Sequence, residues 1–301
     1  MAVPIASPIL TIPACCAMPD KSLPSGAMKA IRWGGYVLLA AALVYCGLAL
    51  RELGTDALFD SLSHTAWMAT VGVGLAYGAA LALLAVGWAA MAARPGSIDS
   101  LARIAVYGPA VVAKYIPGSI FQYGSRQLNG AEFGLEQKAM AKASLAEAAL
   151  HVPAALLCGL MLFAGGGLLG LGILAVAGFA AATLIPSPLF RAAGFQIAFF
   201  ALFAVLMTLL TALALPATDP EQLSAMFMFA WVAGFLVPVA PGGIGIRESA
   251  LLALAVPAES AAVVAAFAVL SRFATTIGDA AIGLTGYWLL LSVRWNRQAS
   301  A

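Results

Sequence analysis

Apolar residues in this chain run in long blocks, not in the alternation of a strand or the single stripe of a half-buried helix. The blocks cover about 33–50, 67–91, 101–124, 143–163, 167–185, 195–215, 225–256 and 260–291. Several reach the roughly 18 to 20 residues that carry a helix across about 30 Å of hydrocarbon. Two blocks are interrupted, 101–124 at Pro117-Gly118 and 225–256 at Pro241 to Gly245. Backbone that leaves the helical ladder at membrane depth is tolerated only where protein or a wet cavity satisfies it. The pattern predicts an all-α polytopic membrane protein of about six spanning helices with two broken, re-entrant helical hairpins.

Composition agrees with this pattern. At 63% hydrophobic and 9% charged residues, the chain has too little polar surface to cover a water-soluble globule. Its 30 Gly and 16 Pro fall largely within the apolar blocks, which favours close helix packing and broken helices. Residues 1–27, with Pro4, Pro8, Pro13, Pro19 and Pro24, are expected to be a disordered N-terminal segment. Residues 28–295 form one transmembrane domain, and 296–301 a short cytoplasmic tail.

Charge placement orients the helices. With both hairpins re-entrant, Lys21, Lys29, Arg32, Arg94, Arg103, Arg126, Lys138, Lys142, Arg191, Arg294 and Arg297 fall on the cytoplasmic side and only Arg51 opposite. That bias follows the positive-inside rule and puts both termini in the cytoplasm. One hairpin then enters from each side, which suggests an inverted-topology repeat whose broken tips meet near the midplane. The four cysteines form no framework, and no CxxC pair, HExxH, P-loop or dinucleotide fingerprint occurs. No metal, cofactor or nucleic-acid partner is expected.

The remaining cations, Lys114, Arg247 and Arg272, lie inside apolar blocks. Each costs on the order of 2.5 to 3.5 kcal/mol at the centre of a spanning helix unless paired, hydrated or used. Lys114 precedes Pro117-Gly118, and Gln122 and Arg126 follow on the return limb. Gly118, Gly242, Gly243 and Gly245 free backbone N–H groups to face a cavity, where a half-helix start adds its positive dipole end. The implied chemistry is anion binding, with Arg247 holding phosphate through two parallel hydrogen bonds and Lys114 supplying a compact mobile charge. The alternative is that Arg247 and Glu248 pair with other buried charges and lock the hairpins together. Glu147 and His151 stand one helical turn apart, so their side chains can meet. Arg272 and Asp279 lie two turns apart, too far for easy contact, so a substrate or another helix would bridge them.

The residues carrying these signals, KYIPG at Lys114 to Gly118, the stretch Ser144 to Glu147, PGGIGIRE at Pro241 to Glu248, and Arg272, resemble a known family. The chain from about residue 30 to 292 resembles the lysylphosphatidylglycerol synthase transmembrane region, the flippase-like domain family. Members of that family often carry Arg and then Asp after the glutamate; this chain has Ala148 and His151. The resemblance implies a prokaryotic cytoplasmic membrane and a role in moving or handling phosphate-bearing lipids, including polyprenyl-linked glycolipids. It implies site roles for Lys114, Pro117, Gly118, Glu147, Pro241, Gly242, Gly243, Gly245, Arg247, Glu248 and Arg272. With only a short tail past Trp295, aminoacyl-lipid synthesis is not expected.

The leading functional expectation is therefore a non-enzymatic flippase-like transporter whose partners are lipids with anionic headgroups, along with envelope-biosynthesis enzymes such as glycosyltransferases. Two other classes stay open. One is an integral membrane transferase using a lipid-phosphate donor, with Glu248 or Asp279 as base; the other is a non-transporting accessory subunit of an envelope assembly.

Overall fold

The computed structural model describes residues 62–116, 121–237, 240–255 and 258–299. The apolar block 33–50, the N-terminal segment, Pro117 and Gly118 lie outside the described residues. Among the described residues all regular structure is helical. In chain order the helices are α1 (His64–Ala92), α2 (Ser100–Ala113), α3 (Phe121–Glu132), α4 (Gln137–Phe163), α5 (Gly167–Leu184), α6 (Pro188–Ala214), α7 (Pro220–Leu236), α8 (Ile246–Ala255) and α9 (Ala261–Ala299). A single 3-10 turn, Pro241–Gly243, separates α7 from α8.

Five helices, α1, α4, α5, α6 and the Ala261–Trp295 part of α9, are long and apolar enough to cross a membrane. They coincide with five of the uninterrupted apolar blocks, and the chain is a helical membrane protein on that ground. Polar caps fix where helices start. Ser63 accepts from the Ala66 N–H at 3.1 Å, Asp99 from Ala102 at 2.6 Å, and Asp219 from both Glu221 and Gln222 at 3.0 Å. Pro188 and Pro220 open α6 and α7, where a missing N–H has no intrahelical partner to lose.

The core runs along α6, where Phe199, Phe200, Phe203, Met207 and Leu210 are fully buried. By contrast α5 buries only Leu171, Gly178 and Ala182 and turns Leu169, Val176 and Leu184 outward, as a lipid-facing helix does. Small residues bring backbones together where α1 crosses α9. A Cβ on Gly278 would lie 2.5 Å from the Gly74 carbonyl oxygen, and one on Gly78 would lie 2.8 Å from that of Gly278. The α2–α9 crossing is built the same way, a Cβ on Gly108 falling 2.4 Å from the Ile282 carbonyl. Thr208, Thr211 and Thr275 donate to carbonyls in their own helices one turn back, so they do not bridge helices through those bonds. Ser144 does bridge, accepting from the Trp88 indole N–H at 3.0 Å between α4 and α1.

Candidate functional site

The helices break in both interrupted blocks, although Pro117 and Gly118 themselves lie outside the described residues. The first leaves Lys114 and Tyr115 just past the end of α2. The second ends α7 at Leu236 and resumes at Ile246, with Gly242, Gly243 and Gly245 all at positive φ (58°, 72° and 83°), a conformation that side-chain-bearing residues rarely adopt. The two breaks meet. A Cβ on Gly242 would stand 3.2 Å from Tyr115 Cε1, so glycine there serves both the turn and the contact.

Around this junction lies a cavity of about 370 Å³. Nine of the residues singled out in the sequence line it: Lys114, Gln122, Arg126, His151, Gly242, Gly243, Arg247, Arg272 and Asp279. Glu147 sits behind Arg126, while Gly245 and Glu248 stand outside the cavity wall. Pro241 opens the 3-10 turn.

Four cations and three carboxylates occupy this region, and three pairs form. Lys114 Nζ lies 2.7 Å from Asp279 Oδ2, which also accepts from the Tyr115 hydroxyl at 2.6 Å. Arg272 donates to Glu248 Oε1 from Nη2 at 2.5 Å and from Nε at 3.0 Å, and to the Gly242 carbonyl at 2.8 Å. Glu248 Oε2 in turn accepts from the Gly245 N–H at 2.7 Å, closing the first turn of α8. Arg126 pairs with Glu147, whose other oxygen accepts from the Tyr107 hydroxyl at 2.5 Å. The Arg126 guanidinium also lies 4.0 Å from the Tyr107 ring centroid.

Arg247 is the cation left over. Among the described residues no carboxylate comes within 4 Å of it. Its Nε is buried without a partner, and its one hydrogen bond, to the Gly242 carbonyl, is long at 3.5 Å. The group rests between Phe227 and Trp231, 5.9 and 5.8 Å from their ring centroids.

Arg126, a candidate site residue also counted on the cytoplasmic side, is 5% exposed, because α3 continues beyond the apolar block and turns it inward. Arg272 and Asp279 do not pair, as their spacing requires; Arg272 is held by Glu248 of α8 and Asp279 by Lys114 past the end of α2. Two expectations are corrected. The Glu147 and His151 side chains do not pair; His151 Nδ1 contacts the Glu147 backbone carbonyl at 2.7 Å, and the carboxylate is taken by Arg126 and Tyr107. Lys114 is not a free mobile charge, being held by Asp279.

The aromatic wall was missed. Tyr77, Tyr107, Tyr115, Tyr123, Trp231 and Phe235 also line the cavity. His151 stacks on Phe235 at 5.2 Å and 8° between planes, and Trp231 stacks on Phe235 at 5.2 Å and 10°. One signal could have found the tyrosines: a hydroxyl inside an apolar block needs a partner, and here Tyr107 and Tyr115 find carboxylates.

Chemically, the site offers a half-aromatic hollow with one guanidinium, that of Arg247, lacking a carboxylate among the described residues. That arrangement suits an oxyanion joined to an apolar or ring-bearing body. No protein-family model, curated protein or solved structure matches the chain, so the family resemblance rests on the motifs quoted above.

Proposed function

We propose that this protein is a flippase-like lipid transporter that takes an anionic headgroup, a phospholipid phosphate or a polyprenyl-phosphate-linked glycan, into the cavity between its two broken helices and releases it to the other leaflet. In this reading the α2–α3 and α7–α8 segments are re-entrant hairpins entering from opposite sides. The block 33–50 supplies a sixth span, and the two halves form an inverted repeat. Both termini face the cytoplasm of a prokaryotic cell, and the protein sits in its inner membrane. A half-helix start and glycine-freed backbone at the tips follow the logic of transporter sites built on discontinuous helices.

The observation that carries the reading is the imbalance at the cavity. Three carboxylates meet four cations, and Arg247, which lines the cavity, is the one with no carboxylate within 4 Å among the described residues. A sheltered cation without a counterion is costly, and a phosphate entering the cavity would supply one. The transferase reading has less support, because Glu248 and Asp279, its two candidate bases, are each engaged by a cation and a further donor.

A second reading draws on a different observation. Lys114–Asp279, Arg126–Glu147 and Arg272–Glu248 each join separate helical elements, as charges that only lock a bundle together would do. Arg247→Ala separates the two readings, because it removes the surplus cation and leaves no carboxylate orphaned; replacing Lys114 would orphan Asp279. In proteoliposomes carrying fluorescent phosphatidylglycerol and a dithionite quench, the transporter reading expects Arg247→Ala to slow flipping by at least about tenfold, the loss of one charge-assisted contact. Unchanged flipping by a well-folded Arg247→Ala protein sinks the headgroup clamp and favours the locking role.

A further inference from the structure

A second group of cations, remote from Arg247, gathers where α1, α2 and α6 come together at their ends. Arg94 follows α1, Arg103 lies near the start of α2, and Arg191 lies in the first turn of α6. All three line one small pocket of about 60 Å³, floored by Ala89 and Ile98. None has a carboxylate within 4 Å among the described residues. The nearest acid in sequence, Asp99, is occupied as the cap of α2. Arg103 Nε is buried with no hydrogen-bond partner. Arg191 Nε donates to the Ala182 carbonyl near the end of α5 at 3.2 Å, which fixes its guanidinium and leaves the two Nη groups for another acceptor.

Cations that serve only to orient a helix keep their heads in water. Here Arg103 has a sheltered Nε without an acceptor, Arg191 is braced by the backbone, and the exposed Arg94 lines the same pocket. Three cations around one small pocket with no carboxylate within 4 Å among the described residues attract an anion, and a phosphate matches the planar fork of arginine. The same helix ends expose Leu101, Leu189 and Phe190, at 59%, 53% and 58%, beside the arginines in sequence. Apolar side chains exposed on the helix ends that carry the arginines suit a molecule that is itself amphiphilic.

We propose that this pocket is a second anion site, separate from the central cavity, and that it holds the phosphate of an anionic membrane lipid at the bilayer surface. The lipid would tie the ends of α1, α2 and α6 together, neutralising charge that no side chain neutralises. Its chemistry is shared with free phosphate, so the test carries both sources.

The full-length protein with Arg247→Ala, which silences the central cavity, is purified in detergent and titrated by native mass spectrometry with dioctanoyl phosphatidylglycerol, dioctanoyl phosphatidylcholine and inorganic phosphate. The expected result is retention of one phosphatidylglycerol, weakened about fivefold for each arginine replaced by Gln and on the order of a hundredfold for Arg94→Gln, Arg103→Gln and Arg191→Gln together. Arg103→Gln alone must show its fivefold loss, which keeps the test valid if the triple variant fails to fold. Phosphatidylglycerol binding that ignores these substitutions, or equal binding of phosphatidylcholine, overturns the site. Inorganic phosphate competing at similar affinity overturns the lipid and leaves a soluble oxyanion. Failure of the central-cavity reading would look different: Arg247→Ala would bind as many lipids as the wild type, and the pocket would stand.

Discussion

The charge pair at Glu147 and the charge cluster around Arg247 use the same residue types around the same cavity, and they are built to opposite ends. At Glu147 every charge is answered: Arg126 takes one oxygen, the Tyr107 hydroxyl takes the other, and both ions are nearly sealed at 5% and 2% exposure. At the second break the answering is incomplete. Arg272 and Glu248 answer each other, but Arg247 beside them has no carboxylate within 4 Å among the described residues, and the buried, unpartnered Nε that it shares with Arg126 is not what sets it apart. The difference teaches where to look for function among buried ions. A cation with its own carboxylate specifies packing; one without a carboxylate leaves charge available to a ligand.

The largest effect expected is at the Arg126–Glu147 pair. Glu147→Gln leaves Arg126 buried without its counterion, and thermal unfolding in detergent should show a loss of about 3 kcal/mol or more. Replacing both partners by apolar residues of similar volume, Arg126→Met with Glu147→Leu, should recover most of that loss, since no orphaned charge remains. A double variant as unstable as the single one would break the comparison, because the node would then matter for more than pairing.

A smaller loss, roughly 1 to 2 kcal/mol in the same unfolding measurement, is expected for Asp279→Asn. Asn still accepts from Tyr115, and Lys114 retains partial access to water with its side chain 26% exposed. Arg247→Ala should change stability by less than about 1 kcal/mol, or raise it, since it removes an unsatisfied group. A loss as large as that of Glu147→Gln would show that the surplus cation is structural after all. The smallest effect belongs to Arg294 and Glu132, an exposed pair joining α9 to α3 at 2.5 Å. Arg294→Gln should cost under about 1 kcal/mol and fade further in high salt.

Much of this architecture is legible in the chain. Apolar blocks mark the long helices, because a spanning segment has no other way to satisfy its backbone. Pro241 to Gly245 mark the second break, since those residues punctuate helices by removing a donor or admitting positive φ, and Gly242, Gly243 and Gly245 do take positive φ. Lys114, Arg247, Arg272 and Asp279 stand out because each violates the hydropathy around it. Partner choice was not legible. The spacing of Arg272 and Asp279 ruled out a direct pair but did not name their partners, and only the packing of α2 on α9 brings Lys114 to Asp279. The burial of Arg126 did not show because it lies just past an apolar block, where a charge reads as solvated; the amphipathic α3 carries it inside. The aromatic wall escaped for the opposite reason, since Tyr, Trp and Phe within apolar blocks look like ordinary core. Arg94, Arg103 and Arg191 were each visible as cytoplasmic cations, but nothing in a linear reading joins Arg191 to the other two.

The glycine crossings of α1 and α2 with α9 bear on how such a molecule could move. Helices that pack through side chains can slide, because rotamers re-sort as one ridge slips past another. Where Gly74 and Gly78 meet Gly278, and Gly108 meets Ile282, backbone lies on backbone and there is nothing to re-sort. These three helices are joined backbone to backbone, and Asp279 and the end of α2 that carries Lys114 belong to that close-packed unit. Across the cavity, Trp231 and Phe235 stand on α7 and Arg247 on α8, with the glycine turn of the second break between the two helices. A wall built on glycine contacts resists sliding, so widening the cavity by a shift of the α7–α8 side disturbs fewer close backbone contacts.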